Sequence, residues 1–261
     1  MLRYPVEFIA SFGRVFLIVA IFVLGGKTFS VRQASPALPA ETPGMHGVEG
    51  LAIYGFILFM FLGDTLWTVG YAIRHEQVQG TLEQLYLSPA SKFASLVSRV
   101  TNTLIWTGLL CLAGGALMAL MLGHLPVENP GWGLYLLVMS LAGTFGVGFA
   151  FAALTLFIKE GAQTMANLLQ FSFLILCANF FPFTALPPFL FVVAHFIPMA
   201  YSVDAFRSAL MGFPPGFPEL ASFPIEVVIV TVFGLVMPVI GYALYRRSEK
   251  RARRVGSLAE Y

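Results

Sequence analysis

Six long apolar runs alternate with short polar segments along the chain. Each run is close to the length of about 20 residues that a helix needs to cross the hydrocarbon layer of a bilayer, and each is bounded by charged residues, Gly or Pro. The runs cover residues 12–31, 51–73, 96–122, 132–158, 164–183 and 225–245. The pattern predicts an all-α integral membrane protein with six transmembrane helices.

The polar segment between the second and third runs, residues 74–95, has a helical pattern of its own. Val78, Leu82 and Tyr86 fall on one face and polar residues fall on the opposite one. Pro89 ends the pattern at about Ser88, because the residue before a proline disfavours helix. This predicts a short amphipathic helix on the cytoplasmic side, between spans 2 and 3.

Two further segments do not behave as plain loops. Residues 184–224 are too apolar for a free loop and are interrupted too often by Pro for a span. They predict short re-entrant helices on the outer side, before span 6, because irregular backbone at membrane depth must be covered by protein or line a cavity. Residues 1–11 have apolar side chains at helical spacing, which is compatible with a helix lying flat on the membrane.

Composition and charge agree with a membrane protein. The chain is 58% hydrophobic and 11% charged, whereas soluble domains carry about 25% charged residues. With both termini inside, twelve of the fifteen Lys and Arg residues lie on the cytoplasmic side and Lys27, Arg32 and Arg207 lie outside. Cytoplasmic loops of membrane proteins carry this excess. Residues 246–261 form the predicted basic cytoplasmic tail.

The sequence contains no recognisable ATP, metal or disulfide site. Gly26-Lys27-Thr28 ends like a phosphate-binding loop, but its required first glycine falls at Ile21. The four histidines are scattered, and both cysteines lie inside apolar runs, which favours packing roles. We therefore predict no catalytic residue, no metal site and no cofactor in this chain.

Two separate motifs resemble those of the ABC type-2 permease family. Residues 76–89, Glu-Gln-Val-Gln-Gly-Thr-Leu-Glu-Gln-Leu-Tyr-Leu-Ser-Pro, resemble the family signature of an acidic residue, Gly-Thr-Leu-Glu, a leucine-rich turn and Ser-Pro. Residues 197–207, Ile-Pro-Met-Ala-Tyr-Ser-Val-Asp-Ala-Phe-Arg, look like its Pro-x-x-Tyr-x-x-Asp-x-x-Arg segment before the last span. The resemblance extends over nearly the whole chain.

The resemblance implies a single transmembrane permease domain over residues 1–261 that pairs with a second permease and with two copies of a separate ATPase subunit. A homodimer is favoured, and a heterodimer is the alternative. The partner would bind ATP and Mg, so this chain is not itself an enzyme. The cargo implied is a drug, lipid or lipid-linked polysaccharide, exported across the bacterial inner membrane, and no nucleic acid partner is expected. The Phe-rich composition also favours a hydrophobic or amphiphilic substrate.

The predicted ATPase contacts lie on the coupling helix of residues 76–88 and on the next cytoplasmic turn. An amphipathic helix in the cytoplasm can place one face in a groove of a partner and transmit its rigid-body motion. An ordinary solvated loop helix is the alternative. The candidate contacts are Glu76, Gly80, Thr81, Glu83, Gln84, Ser88, Lys159 and Glu160.

Asp64 lies near the middle of span 2 and is the candidate pathway residue. An acid at that depth is costly and often functional. The alternative is a structural hydrogen bond to a polar neighbour, for which Asn102, Gln163, Asn167 and Gln170 are candidates.

The outer-gate candidates are Phe180, Phe181, Phe183, Tyr201, Asp204 and Arg207. Aromatic residues at this level can also form an anchoring belt at the membrane interface. Asp204 and Arg207, at i and i+3, can pair on a short helix, which favours a structural role for them.

Two other function classes compete with a permease. An intramembrane enzyme needs converging catalytic groups, whereas the sequence offers one acid deep within a span, Asp64, and no nucleophile–base pair. A secondary transporter more often has internal repeats and helices broken at mid-membrane, whereas the breaks here gather on the outer side.

Overall fold

The computed structural model describes residues 48–71, 92–122, 127–155 and 161–255. These residues form helices and the connections between them, so the all-α prediction is confirmed for this part of the chain. The helices are α1 (Val48–Thr65, continued by a π-helical turn, Leu66–Tyr71), α2 (Lys92–Leu122), α3 (Pro130–Thr155), α4 (Ala162–Leu176), α5 (Pro188–Ala194), α6 (Pro198–Leu210) and α7 (Phe223–Val255), with a 3-10 turn at Phe183–Ala185.

Two of the described helices are long and apolar enough to cross a membrane, namely α3 and the part Phe223–Arg251 of α7. Helices α5 and α6 meet at 92° and make a third candidate if the bent pair counts as one span. The protein therefore has two or three candidate spans within the described residues. The first predicted span, the interfacial helix of residues 1–11 and the coupling helix of residues 76–88 lie outside them, and the six-span topology stays a prediction.

Two helices end well away from their predicted positions. Helix α4 ends at Leu176 and does not continue to residue 183, because Ala178 takes a left-handed backbone conformation with φ of 45°. The amide of Ala178 closes the last turn on the carbonyl of Ile175 at 3.1 Å. Helix α7 continues beyond Tyr245 to Val255, so the basic tail starts as a direct extension of the span.

Helices α3 and α7 make the most extensive helix–helix contact within the described residues. Glycines allow it. A Cβ built on Gly241 would overlap the carbonyl oxygen of Gly146, and a Cβ on Gly146 would overlap the backbone at Met237. Small residues let two helix backbones approach closely in a membrane, where packing drives association. Pro238 lies in α7 beside the same contact.

Helix α6 lies at the centre of the described core. Every residue from Met199 to Leu210 is buried, although the helix carries Asp204 and Arg207. Apolar side chains of α1, α3 and α7 join it in one hydrophobic cluster, for example Leu62, Leu136 and Val230. A helix that is buried on all sides must satisfy its charged groups inside the protein.

Candidate functional site

Four charged residues meet inside the protein around α6. Histidines aside, the sequence from Gly161 to Tyr245 contains four charged residues, Asp204, Arg207, Glu219 and Glu226, and the structure brings all four together. We call them the charge cluster. The side chains of Asp204, Arg207 and Glu226 are 0% exposed, and that of Glu219 is 4% exposed.

Arg207 is the hub of the charge cluster. Its Nη2 donates to Glu219 Oε1 at 3.1 Å and to Asp204 Oδ1 at 3.5 Å. Its Nη1 donates to the carbonyl oxygens of Ala178 at 3.1 Å and Phe181 at 3.2 Å. The planar guanidinium presents its donors as a rigid fork, which suits binding to several acceptors at once.

Two aromatic rings cover the guanidinium. It lies 4.9 Å from the centroid of Phe183 and 5.7 Å from that of Phe217. Cation–π attraction of this kind is stronger when the cation is removed from water, as Arg207 is. The rings therefore help to compensate the desolvation of a buried charge.

The carboxylates of Asp204 and Glu219 bind backbone amides of two connections. Asp204 Oδ2 accepts from the amides of Glu219 at 2.7 Å and Leu220 at 2.8 Å. Glu219 Oε2 accepts from the amide of Thr184 at 2.9 Å. Burial raises the pKa of Glu219, whereas the Thr184 amide and the charge of Arg207 act in the opposite direction. The cluster thus fixes the segments on both sides of the bent helix pair.

Glu226, in the first turn of α7, is less completely satisfied. Its Oε1 accepts from the amide of Ala221 at 3.1 Å. Its Oε2 is buried and has no hydrogen-bond partner among the described residues, and the same is true of Arg207 Nε. The neighbouring amides of Leu220 and Ala221 donate to Asp204 Oδ2 and to Glu226 Oε1, respectively, which places the two carboxyl groups next to each other.

The turn at residues 177–181 links the charge cluster to α1. Asn179 Nδ2 donates to the carbonyl oxygens of Phe173 at 3.0 Å and Leu174 at 3.3 Å. Gly55 of α1 packs directly on this turn, since a Cβ at Gly55 would overlap the carbonyl oxygen of Asn179. Arg207 binds carbonyls of the same turn, so α1 and α6 contact it from different sides.

The structure brings most of the outer-gate candidates to this region. Phe181 supplies a carbonyl to Arg207, Phe183 lies under its guanidinium, and Tyr201 is buried and donates to the carbonyl of His195 at 3.0 Å. Phe180 points to α1, where its ring centroid lies 6.1 Å from that of Phe56. Their role as an outer gate stays a prediction.

Asp64 belongs to a different contact, between α1 and α2. It is half-buried, and Thr107 donates its hydroxyl to Asp64 Oδ2. One turn along α1, the hydroxyls of Thr68 and Thr103 lie 3.0 Å apart. Gln170, a predicted partner of Asp64, accepts from Trp67 Nε1 at 3.1 Å. Thr107 was not among the predicted partners.

The other predicted contacts lie outside the described residues. They are the ATPase-contacting candidates Glu76, Gly80, Thr81, Glu83, Gln84, Ser88, Lys159 and Glu160. Within the described ranges, no group of three or more His, Cys, Asp or Glu residues is arranged to hold a metal ion.

Sequence reasoning missed Glu219 and Glu226, although the scarcity of charge between Gly161 and Tyr245 was an available signal.

A comparison with protein families gives one broad match. A model described as "ABC-2 family transporter protein" matches residues 25–243, which include Asp64 and the whole charge cluster. No curated protein matches the chain at a significant level.

Proposed function

The chain belongs to the ABC-2 family of transporter membrane proteins, and from this membership we propose that it is the permease of an ATP-driven exporter. Permeases of this family lack an ATPase domain of their own and work with ATPase subunits. The observation that carries the proposal is the match over residues 25–243, which confirms the resemblance of the two sequence motifs.

In the proposed assembly, two permeases pair around a central pathway, and two ATPase subunits bind ATP and Mg on the cytoplasmic side. Each permease crosses the bacterial inner membrane six times, with both termini in the cytoplasm. The positive-inside rule supports this orientation. An impermeant reagent should label a cysteine placed at Ala40 from outside, and one placed at Ser257 only after lysis. Labelling of both from one side would contradict the six-span topology.

We propose that residues 76–88 are the coupling helix and that Lys159 and Glu160 form a second ATPase contact. The segment connects the end of the π-helical turn after α1, at Tyr71, to the start of α2, at Lys92. Motion of the ATPase would therefore act on both helices. These helices contact each other through Asp64 and Thr107 and through Thr68 and Thr103. Asp64 is accordingly our candidate for the residue that senses this motion or lines the pathway.

The link from α1 to the charge cluster supports a role for the bent helix pair as an outer gate. A shift of α1 would press Gly55 on the turn at residues 177–181, because no side chain separates the two backbones. Arg207 binds the carbonyls of that turn and would carry the shift to α6. The apolar surroundings of this pair favour a hydrophobic or amphiphilic cargo, such as a drug, a lipid or a lipid-linked polysaccharide.

Co-purification tests the proposed function. We expect an ATPase subunit to purify with the tagged chain in mild detergent. In reconstituted vesicles, the complex should move an amphiphilic probe, with ATP, away from the membrane face on which the ATPase lies and towards the opposite face. A complex with an ATPase variant that binds but does not hydrolyse ATP is the control. Transport by the chain alone without ATP would refute the proposal.

A further inference from the structure

The charge cluster contains more negative groups than its surroundings compensate. Three carboxylates and one guanidinium, all ionised, would leave a formal charge of −2 in a buried site. Burial of an unpaired charge is strongly unfavourable even after the protein relaxes, and a carboxyl group usually takes up a proton instead. The excess negative charge of the cluster must therefore be compensated by a cation or a bound proton.

The groups that face the cluster do not provide that charge. From α6 these are Asp204, Arg207 and Tyr201, whose hydroxyl already donates to the His195 carbonyl. From the connection before α7 comes Glu219, which contacts Arg207, and from the turn after α4 comes Cys177, which precedes the Ala178 carbonyl that accepts from Arg207. Among the described residues, Arg207 supplies the cation of this site.

The hydrogen bonds indicate which carboxyl is best suited to hold a proton. Asp204 accepts two amides and also contacts Arg207, and Glu219 accepts one amide and contacts Arg207. All four oxygens of these two carboxyl groups therefore accept hydrogen bonds. Glu226 accepts one amide through Oε1, next to the amide that Asp204 accepts, while its buried Oε2 has no partner among the described residues.

We propose that Glu226 is a proton-binding site and that its protonated carboxyl donates a hydrogen bond to Asp204. The proton converts Oε2 from an unsatisfied acceptor into a donor, and Asp204 is the acceptor within reach. Two neighbouring carboxyl groups that share one proton are a known arrangement, because both cannot ionise at short range. The proton thus joins α6 to the first turn of α7.

This site makes the outer helix contact sensitive to alkaline conditions. The proton joins α6 to α7 in the folded state, so its removal under alkaline conditions weakens that contact and lowers the stability of the fold. Loss of the proton leaves two carboxylates facing each other between α6 and α7. The proposal does not depend on transport or on an ATPase partner.

Infrared spectroscopy of the full chain in detergent tests the site directly. At neutral pH we expect the carbonyl stretch of a protonated carboxylic acid, shifted in D2O, and we expect Glu226→Gln to remove it. Asp64→Asn, which alters the half-buried acid of α1, is the control and should keep the band. A wild-type spectrum without the band overturns the proposal, and so does a band that survives in Glu226→Gln.

Thermal unfolding supplies a second, independent readout. Glutamine has nearly the shape and the neutrality of protonated Glu226, so Glu226→Gln should unfold at the wild-type temperature at neutral pH. As the pH is raised, the wild type should lose stability relative to this variant. Glu219→Gln is the matched control and should be destabilised throughout, because it removes a charged acceptor of Arg207. A Glu226→Gln variant that is destabilised like Glu219→Gln, with no dependence on pH, overturns the proposal.

Discussion

Replacing Arg207 with methionine should be among the most destabilising single changes in the described part of the protein. Methionine fills much of the same volume but has no donors. The change leaves the carbonyls of Ala178 and Phe181 without their donor. It also removes the cation that Asp204 and Glu219 contact, so buried carboxylates remain without compensation.

The magnitude follows from these losses. Removing one partner of a buried ion pair costs about 3–5 kcal/mol, and each buried acceptor left unsatisfied costs about 1–3 kcal/mol. These energetic costs overlap because one side chain makes all of the contacts, so they do not simply add. We therefore expect a loss of about 3–5 kcal/mol, set mainly by the orphaned carboxylates.

Reversible unfolding of the purified chain in mixed detergent micelles would measure this loss. Arg207→Lys is the matched control: it keeps the charge but cannot bind carbonyls and carboxylates as a fork, so it should fall between methionine and the wild type. Adding Glu219→Gln to Arg207→Met should recover part of the stability, since one uncompensated carboxylate is removed. If Arg207→Met costs less than about 1 kcal/mol, below the range for a broken buried pair, the reasoning fails.

Three further changes test other contacts. Gly241→Ala should destabilise the chain by about 1–3 kcal/mol through overpacking against Gly146. Gly108→Ala, where an added Cβ meets no described atom within 4 Å, should be neutral or stabilising in the same unfolding assay, because Ala is the better helix former. Asp64→Asn can still accept the Thr107 hydroxyl, so assembly should persist while substrate-stimulated ATPase activity changes; failure to assemble would instead assign Asp64 a structural role. Glu83→Ala should reduce co-purification of the ATPase while the permease still dimerises, and unchanged ATPase association and transport would contradict the proposed coupling contact.

The apolar pattern was sufficient to locate the long helices. The predicted fourth and sixth spans, residues 132–158 and 225–245, overlap α3 and α7 because a long run of apolar residues specifies such a helix locally. The i and i+3 spacing of Asp204 and Arg207 likewise indicated a contact that the structure contains, at 3.5 Å. Both inferences depend on residues that are close in sequence.

The remaining features depend on contacts between distant segments. Helix α4 ends early because the turn after it packs on Gly55 and its carbonyl oxygens accept hydrogen bonds from Arg207. No residue within α4 indicates that the helix ends there. Thr107 reaches Asp64 across 43 positions of sequence. Glu226 resembles an ordinary acid at a helix start, and only its position beside Asp204 makes it unusual.

Helix α7 contains a proline at the same level as its close contact with α3. Pro238 lacks an amide hydrogen and removes the bond to the carbonyl of Gly234, so the helix bends most easily there. From Pro238 to Val255 the helix extends for about 25 Å at 1.5 Å per residue. Because Gly146 and Gly241 hold α3 against α7 at this level, a bend at Pro238 would move the C-terminal part of α7 about its contact with α3.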